Sequence, residues 1–305
     1  MSRANASRWT GHLFALLCVT AWGTSFLVSK RLMATLSPAQ LMFLRFVIAW
    51  AAIWIIRPKW HFHWREEGSF LLLALIGNTF YFLAENTALQ LTLASNVSIL
   101  VSAAPIFSAL LLRVTGRSER LSRQQIAGIG IAFLGVLFVV FNGVFILKLN
   151  PLGDLLAVSA AFFWAVYGSV ARKVLEQFDS LLITRKLMFY GILTTAPLLL
   201  TNGQSLSVLA QLRFGDFCSL LYLGLVCSAV CYLMWNEAIA KIGDIKTNLY
   251  VYVVPLVTML ASALLLRERI TGTGLVGIAL VIGGMLLSNL ERSRTQDVSP
   301  TAPGP

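Results

Sequence analysis

Apolar stretches of about twenty residues recur from one end of this chain to the other, and nothing else in the sequence constrains its fold so tightly. They fall at approximately 11–33, 37–56, 69–89, 92–112, 123–142, 152–173, 180–200, 216–239, 244–266 and 271–290. A helix needs about 20 mostly apolar residues to cross a bilayer core roughly 30 Å thick. Composition agrees: 12% of the 305 residues are charged, against about 25% in soluble domains, too few to clothe a water-facing surface. The expected fold is an all-α polytopic membrane protein with ten transmembrane helices. The first run has no small-residue cleavage site before the next charge and is read as a retained helix rather than a signal peptide. The polar tails, 1–10 and 291–305, are expected to be disordered, since "SPTAPGP" cannot continue a helix.

The net charge of +11 would suggest nucleic acid on a soluble chain, but no nucleic-acid motif accompanies it. In a membrane protein Lys and Arg collect in cytoplasmic loops. With the N-terminus placed inside, seventeen of the 24 Lys and Arg fall on the inner side and six on the outer, leaving Arg45 within a run. Both termini are therefore expected in the cytoplasm. Of the four cysteines, Cys227 and Cys231 stand one helical turn apart with no His near them in sequence. They read as small packing residues, and "HFH" at 61–63 as an interfacial loop. No metal or cofactor is expected.

The two halves resemble each other. "ENTALQLTLASNVSILVSAAP" (85–105) aligns with "WNEAIAKIGDIKTNLYVYVVP" (235–255), which pairs Asn86 with Asn236 and Pro105 with Pro255 at an offset of 150. Earlier, "ALLCVTAW" aligns with "AVSAAFFW", pairing Trp22 with Trp164. Five runs followed by five similar ones form a repeat, 11–142 and 143–290. Because five is odd, the second copy enters the membrane from the opposite face. Inverted repeats of this kind build alternating-access carriers around a site at their interface.

The paired third and eighth segments, the prolines of the fourth and ninth, and "SERLSRQQIAG" with "RERITGTGLVG" leading into the fifth and tenth resemble the drug/metabolite transporter superfamily. The likeness is to its ten-helix EamA-type branch, over about residues 11–290, and most of all to bacterial exporters of aromatic and other amino acids. The resemblance implies a cavity lined by helices 1, 3, 4, 6, 8 and 9, with the fifth and tenth packed outside it, in the bacterial inner membrane.

Polar residues inside the runs are the candidates for the site. A carboxylate facing lipid costs about 2.5–3.5 kcal/mol, so Glu85 is expected to face a wet cavity or a partner. Glu237 adjoins Asn236 in the other half, and the two Asn–acid clusters read either as gates or as interfacial groups. Trp22 and Trp164 offer π faces for an ammonium or an apolar side chain, or else pack helices. Tyr81, Tyr167, Tyr250, Tyr252 and Trp235 extend the aromatic set, and Asn78, Asn96 and Ser102 offer hydrogen bonds. Arg45 reads first as a snorkelling or acid-paired residue and second as a carboxylate receptor. Pro105 and Pro255 are candidate hinges. The glycines of the fifth and tenth segments suit internal packing or a dimer seam, leaving monomer and homodimer open.

The function expected is export of amino acids by alternating access, through a secondary-active or facilitative transporter. The alternative is export of amphipathic or cationic drugs and other metabolites. A membrane enzyme is disfavoured, because H-E-x-x-H and G-x-S-x-G motifs are missing. A channel would call for charged rings or a carbonyl filter, and with no Walker A motif ATP does not drive this chain alone.

Overall fold

The computed structural model describes the backbone of residues 3–58, 62–92, 94–114, 122–141, 150–201, 206–266 and 271–289. Side chains are described over the same stretches except at 3–6, 94–96, 140–141, 201, 206, 262–266 and 289. The C-terminal tail, His61, the side chain of Asn96 and residues 118–120 and 267–269 of the "SERL" and "RERI" stretches lie outside them.

With contiguous segments joined, the described residues form helices α1 (Arg3–Leu32), α2 (Pro38–Ile56), α3 (Trp64–Leu91), α4 (Ala94–Val101 and Ala104–Val114) and α5 (Arg123–Phe141). They continue with α6 (Pro151–Val174), α7 (Ser180–Thr201), α8 (Phe214–Ile242), α9 (Asp244–Leu249, a 3-10 turn at Tyr250–Val253, then Val254–Leu266) and α10 (Gly272–Asn289). Six helices among the described residues are long and apolar enough to cross a membrane, with shorter apolar helices at Arg123–Val139 and Gly272–Ser288. Large apolar side chains such as Leu17, Leu134, Leu155 and Leu286 are exposed on the outer faces, as lipid contact requires. The protein is a multi-pass helical membrane protein.

Local chemistry sets the boundaries. Ser37 and Gln40 form a reciprocal capping box at α2, with Pro38 in the first turn. Asn150 accepts from Gly153 N–H at 2.9 Å to start α6, again with a proline in the first turn. Gly243, φ +84° and ψ 159°, occupies a region essentially closed to other residues, and so α8 turns straight into α9. One expectation is corrected here: residues 3–10 belong to α1 and are not a disordered tail. Ala4, Ala6 and Arg8 are strong helix formers and nothing before Gly11 breaks the helix.

Two irregularities recur at the offset seen in the sequence. α3 carries a π-helical stretch at Leu75–Phe80 and α8 one at Tyr222–Val230. α4 breaks at Ser102 and Ala103, and α9 tightens into its 3-10 turn at Tyr250–Val253. Both irregular stretches end two residues before their prolines, Pro105 and Pro255, because proline removes the N–H that would have bonded back into that turn. Packing also comes in matched sets. α1 packs on α8 as α6 packs on α3, α2 packs on the π-helical part of α8 as α7 packs on α3, and α1 meets α9 as α6 meets α4. α2 packs on α7, and α5 on α10.

The α5–α10 seam decides between the two readings of its glycines. A Cβ on Gly284 would stand 2.6 Å from the Gly128 carbonyl oxygen, and one on Gly277 2.8 Å from that of Gly135. The glycines pack the two helices of one chain together, and the dimer-seam reading of those faces is replaced by this internal contact.

Candidate functional site

A cavity of about 40 Å³ lies in the middle of the helices. It is lined by Trp22, Ser25 and Phe26 of α1, Arg45 of α2, Tyr81, Phe82 and Glu85 of α3, and Ser98, Val101 and Ser102 of α4. Trp164 of α6, Tyr232 of α8, and Val251 and Val254 of α9 complete it. One buried water needs roughly 10–15 Å³ on this measure, so the space between the side chains is that of about three waters. α2 joins the six helices that the family resemblance implied.

Indole and phenol rings crowd one side. Trp22 and Trp164 meet edge to face, centroids 5.2 Å apart and planes at 88°, a favoured aromatic geometry. Trp235 backs both at 4.9 and 5.7 Å, and Tyr81 stands 5.0 Å from Trp164. The π-helical stretches supply the acceptors that let these polar rings be buried. Trp22 Nε1 donates to the Cys227 carbonyl at 3.0 Å, and the Tyr232 hydroxyl donates to the Gly77 carbonyl at 2.9 Å. Cys227 and Gly77 are the same position in the two stretches, 150 residues apart. A π turn loosens the i→i−4 ladder and leaves carbonyls for outside donors.

The charged groups lie opposite expectation for one residue and along it for another. Arg45, 2% exposed, neither snorkels nor pairs with an acid among the described residues. Its Nε donates to Ser228 Oγ at 2.9 Å and its guanidinium lies 4.1 Å over the Phe82 ring. A desolvated cation–π contact contributes about 2 kcal/mol, which offsets much of the roughly 2.5–3.5 kcal/mol cost of a charge at this depth. Glu85, 6% exposed, faces the cavity and accepts a hydrogen bond from the Tyr81 hydroxyl. Glu237 is partly exposed and pairs with Lys241 one turn on, 3.2 Å away. Glu85 lies on the cavity wall, and Glu237 lies away from it, paired along its own helix.

The cavity thus brings together Trp22, Tyr81, Glu85, Ser102 and Trp164 of the expected residues. Behind the rings, the fully buried Tyr167 donates to Asn236 Oδ1 at 2.6 Å, and Asn236 Nδ2 donates to Thr184 at 3.1 Å. Asn78 donates to the Leu187 carbonyl at 3.0 Å, tying α3 to α7. Asn86 is fully buried, and neither of its amide atoms has a partner among the described residues. Tyr250 meets His12 at 2.9 Å, and Tyr252 packs in the cluster beside α5 and α10; neither lines the cavity. Ser25, Phe26, Phe82, Ser98, Val101, Tyr232, Val251 and Val254 were missed. Arg45, a cation far from either end of its run, was weighed only second as a carboxylate receptor and carried a signal that could have placed it here.

The EamA-like transporter family model matches residues 9–141 and again residues 151–290. An uncharacterized transporter of Archaeoglobus fulgidus is 29% identical over 292 residues, 92% of this chain and 98% of that one. A probable amino-acid metabolite efflux pump of Escherichia coli is 28% identical over 284 residues, 90% and 93% of the two chains. A probable terminal-alkyne amino-acid exporter of Streptantibioticus cattleyicolor is 30% identical over 198 residues, 64% of each. A solved crystal structure shares the fold, with a TM-score of 0.70 at 18% identity over 94% of this chain and 99% of the other.

Proposed function

The chain belongs to the EamA-like transporter family, and from that premise we propose that it exports amino acids, aromatic and apolar ones included, by alternating access. In this reading ten spans form two inverted five-helix repeats in a bacterial inner membrane, with both termini in the cytoplasm. The observation that carries it is the cavity itself: indoles at matched positions of α1 and α6, with one cation and one carboxylate at its wall. Rings receive an apolar or aromatic side chain, and the charges receive the polar end. Relatives named as an amino-acid efflux pump and an amino-acid exporter point the same way. In this reading the matched breaks in α4 and α9 are where those helices bend to widen the cavity.

Purified protein in liposomes, loaded with a panel of labelled amino acids under an imposed pH gradient, tests this reading. Flux of amino acids above empty liposomes, reduced at least tenfold by Trp22→Ala or Trp164→Ala in a protein that still elutes as a single species, is expected. Flux unchanged in both variants removes the site from the cavity. A second reading, export of amphipathic cations, is favoured by one feature, Glu85 beside the indoles. A pump of that kind carries quaternary amines better than amino acids in the same liposomes.

A further inference from the structure

Arg45 and Glu85 line one small cavity and yet do not touch. No nitrogen of Arg45 comes within 4.0 Å of an oxygen of Glu85 among the described residues. In so poorly hydrated a place opposite charges attract strongly, and two side chains of this length ordinarily close on each other. Each is held back by its own anchor. Arg45 is held by Ser228 on Nε and by the Phe82 ring beneath it. Glu85 is held by the Tyr81 hydroxyl on Oε2. The anchors use one edge of each group. Nη1 and Nη2 of Arg45 and Oε1 of Glu85 have no hydrogen-bond partner among the described residues.

The unused atoms define what fits between them. Two guanidinium nitrogens side by side match the two oxygens of a carboxylate, the geometry for which arginine is best suited. A carboxylate oxygen accepts from an ammonium. A ligand with both ends completes both groups at once. We propose that Arg45 and Glu85 are the two poles of a zwitterion socket: Arg45 takes the substrate's carboxylate and Glu85 its ammonium. Trp22, Trp164 and Tyr232 are left for the side chain. The inference rests on the reading of this cavity as the substrate site, and adds that both charges on the substrate are required. An amine or an acid alone leaves one buried pole unpaired, which binding sites reject strongly.

The test measures binding to the purified full-length protein by quenching of its tryptophan fluorescence, Trp22 and Trp164 being at the cavity wall. The probes are phenylalanine, phenethylamine and 3-phenylpropionate, and the matching leucine, isopentylamine and 4-methylpentanoate. The wild type is expected to bind each zwitterion at least tenfold tighter than its amine or acid. Glu85→Gln should lower the preference over the acid at least tenfold and leave the preference over the amine. Arg45→Gln should do the converse, and Arg45→Lys, which keeps the charge but loses the two-pronged fit, should keep the preference over the acid in full and the preference over the amine in reduced measure. If Arg45→Gln does not fold, Arg45→Lys and Glu85→Gln decide the matter. All three ligands weakened in parallel by Glu85→Gln, or a wild type indifferent to the missing charge, overturns the socket while leaving amino-acid export standing. A wild type that ignores amino acids but prefers taurine or a betaine overturns the amino-acid reading and keeps the socket. Binding of nothing that bears two opposite charges overturns both.

Discussion

Alanine in place of glycine along the α5–α10 seam should separate two helices that now touch backbone to backbone. A Cβ on Gly284 would stand 2.5 Å from the Ala132 nitrogen and 2.6 Å from the Gly128 oxygen. A Cβ on Gly128 would stand 2.6 Å from both the Gly284 oxygen and the Ser288 nitrogen. These are backbone atoms with no rotamer to yield, so α10 must move off α5 by about 0.8 Å to recover an ordinary 3.4 Å contact. Overpacking of this size costs about 1–3 kcal/mol, which lowers the melting temperature by several degrees. The double variant should cost less than the sum of the singles, because one displacement relieves both clashes. Gly130 and Gly283 are controls on the same helices, with nothing within 4 Å of an added Cβ. Alanine there should be neutral or stabilising by up to about 1 kcal/mol. The assay is heat challenge of detergent-solubilised protein followed by size-exclusion recovery, with mass measured by light scattering. An unchanged melting temperature in Gly128→Ala and Gly284→Ala, with a dimer falling to monomer, would refute the internal seam.

At the other side of the molecule, Glu67 of α3 accepts from Lys186 at 2.6 Å and from the Tyr190 hydroxyl at 2.5 Å, with Lys186 2% exposed. Glu67→Gln strips a buried cation of its carboxylate and should cost about 3 kcal/mol, whereas Glu67→Gln with Lys186→Met should recover most of it in the same heat challenge. Burial pushes the Asp179 carboxyl up, but the Leu182 N–H, which it caps, and Arg57 at 2.8 Å outweigh this and hold it below its ordinary 3.8. A depressed carboxylate stabilises above its unfolded pKa, so the stability deficit of Asp179→Asn should be full near pH 6. It should close as pH falls below about 3.8 toward the folded value. Pro105→Ala and Pro255→Ala should shift the accessibility of a cavity cysteine from the two membrane sides in opposite directions; equal accessibility in both variants and the parent leaves only static kinks.

Much of the architecture was legible because duplication writes the same instruction twice. Trp22 and Trp164 could be paired without a structure, and they do meet. Pro105 and Pro255 announced breaks in α4 and α9, and the breaks lie just ahead of them. The matched π-helical stretches were not legible, since "LIGNTF" and "LVCSAV" share little beyond apolar character. The acids show how a nearly correct pairing fails. Glu85 precedes Asn86, whereas Glu237 follows Asn236. Two residues on opposite sides of a matched position are about 200° apart around a helix, so Glu85 faces the cavity and Glu237 does not. Arg45 was misjudged because its anchor, Ser228, lies 183 residues away in a stretch whose π turn no local pattern reveals.

On the proposed function, a scaffold of two similar halves carries out a one-way task. At the offset of 150, Glu85 corresponds to Trp235, and at the offset that joins Trp22 to Trp164, Arg45 corresponds to Leu187. Both charged walls of the cavity therefore come from the first half, on α2 and α3. The second half answers with rings from α6 and α8 and with the Ser228 hydroxyl. Helices that open one end and then the other gain from being near copies of each other, because two equivalent states then differ little in energy. A dipolar substrate gains from the reverse: if the poles were duplicated, two opposed orientations would bind equally, and each would leave one buried pair of charges empty. In the proposed socket, charges confined to one half fix a single orientation of the substrate against α2 and α3. In the proposed cycle α6 and α8, which present the uncharged rings of Trp164 and Tyr232 to the cavity, change their packing without moving a cavity charge through the apolar layer, the costly step at this depth.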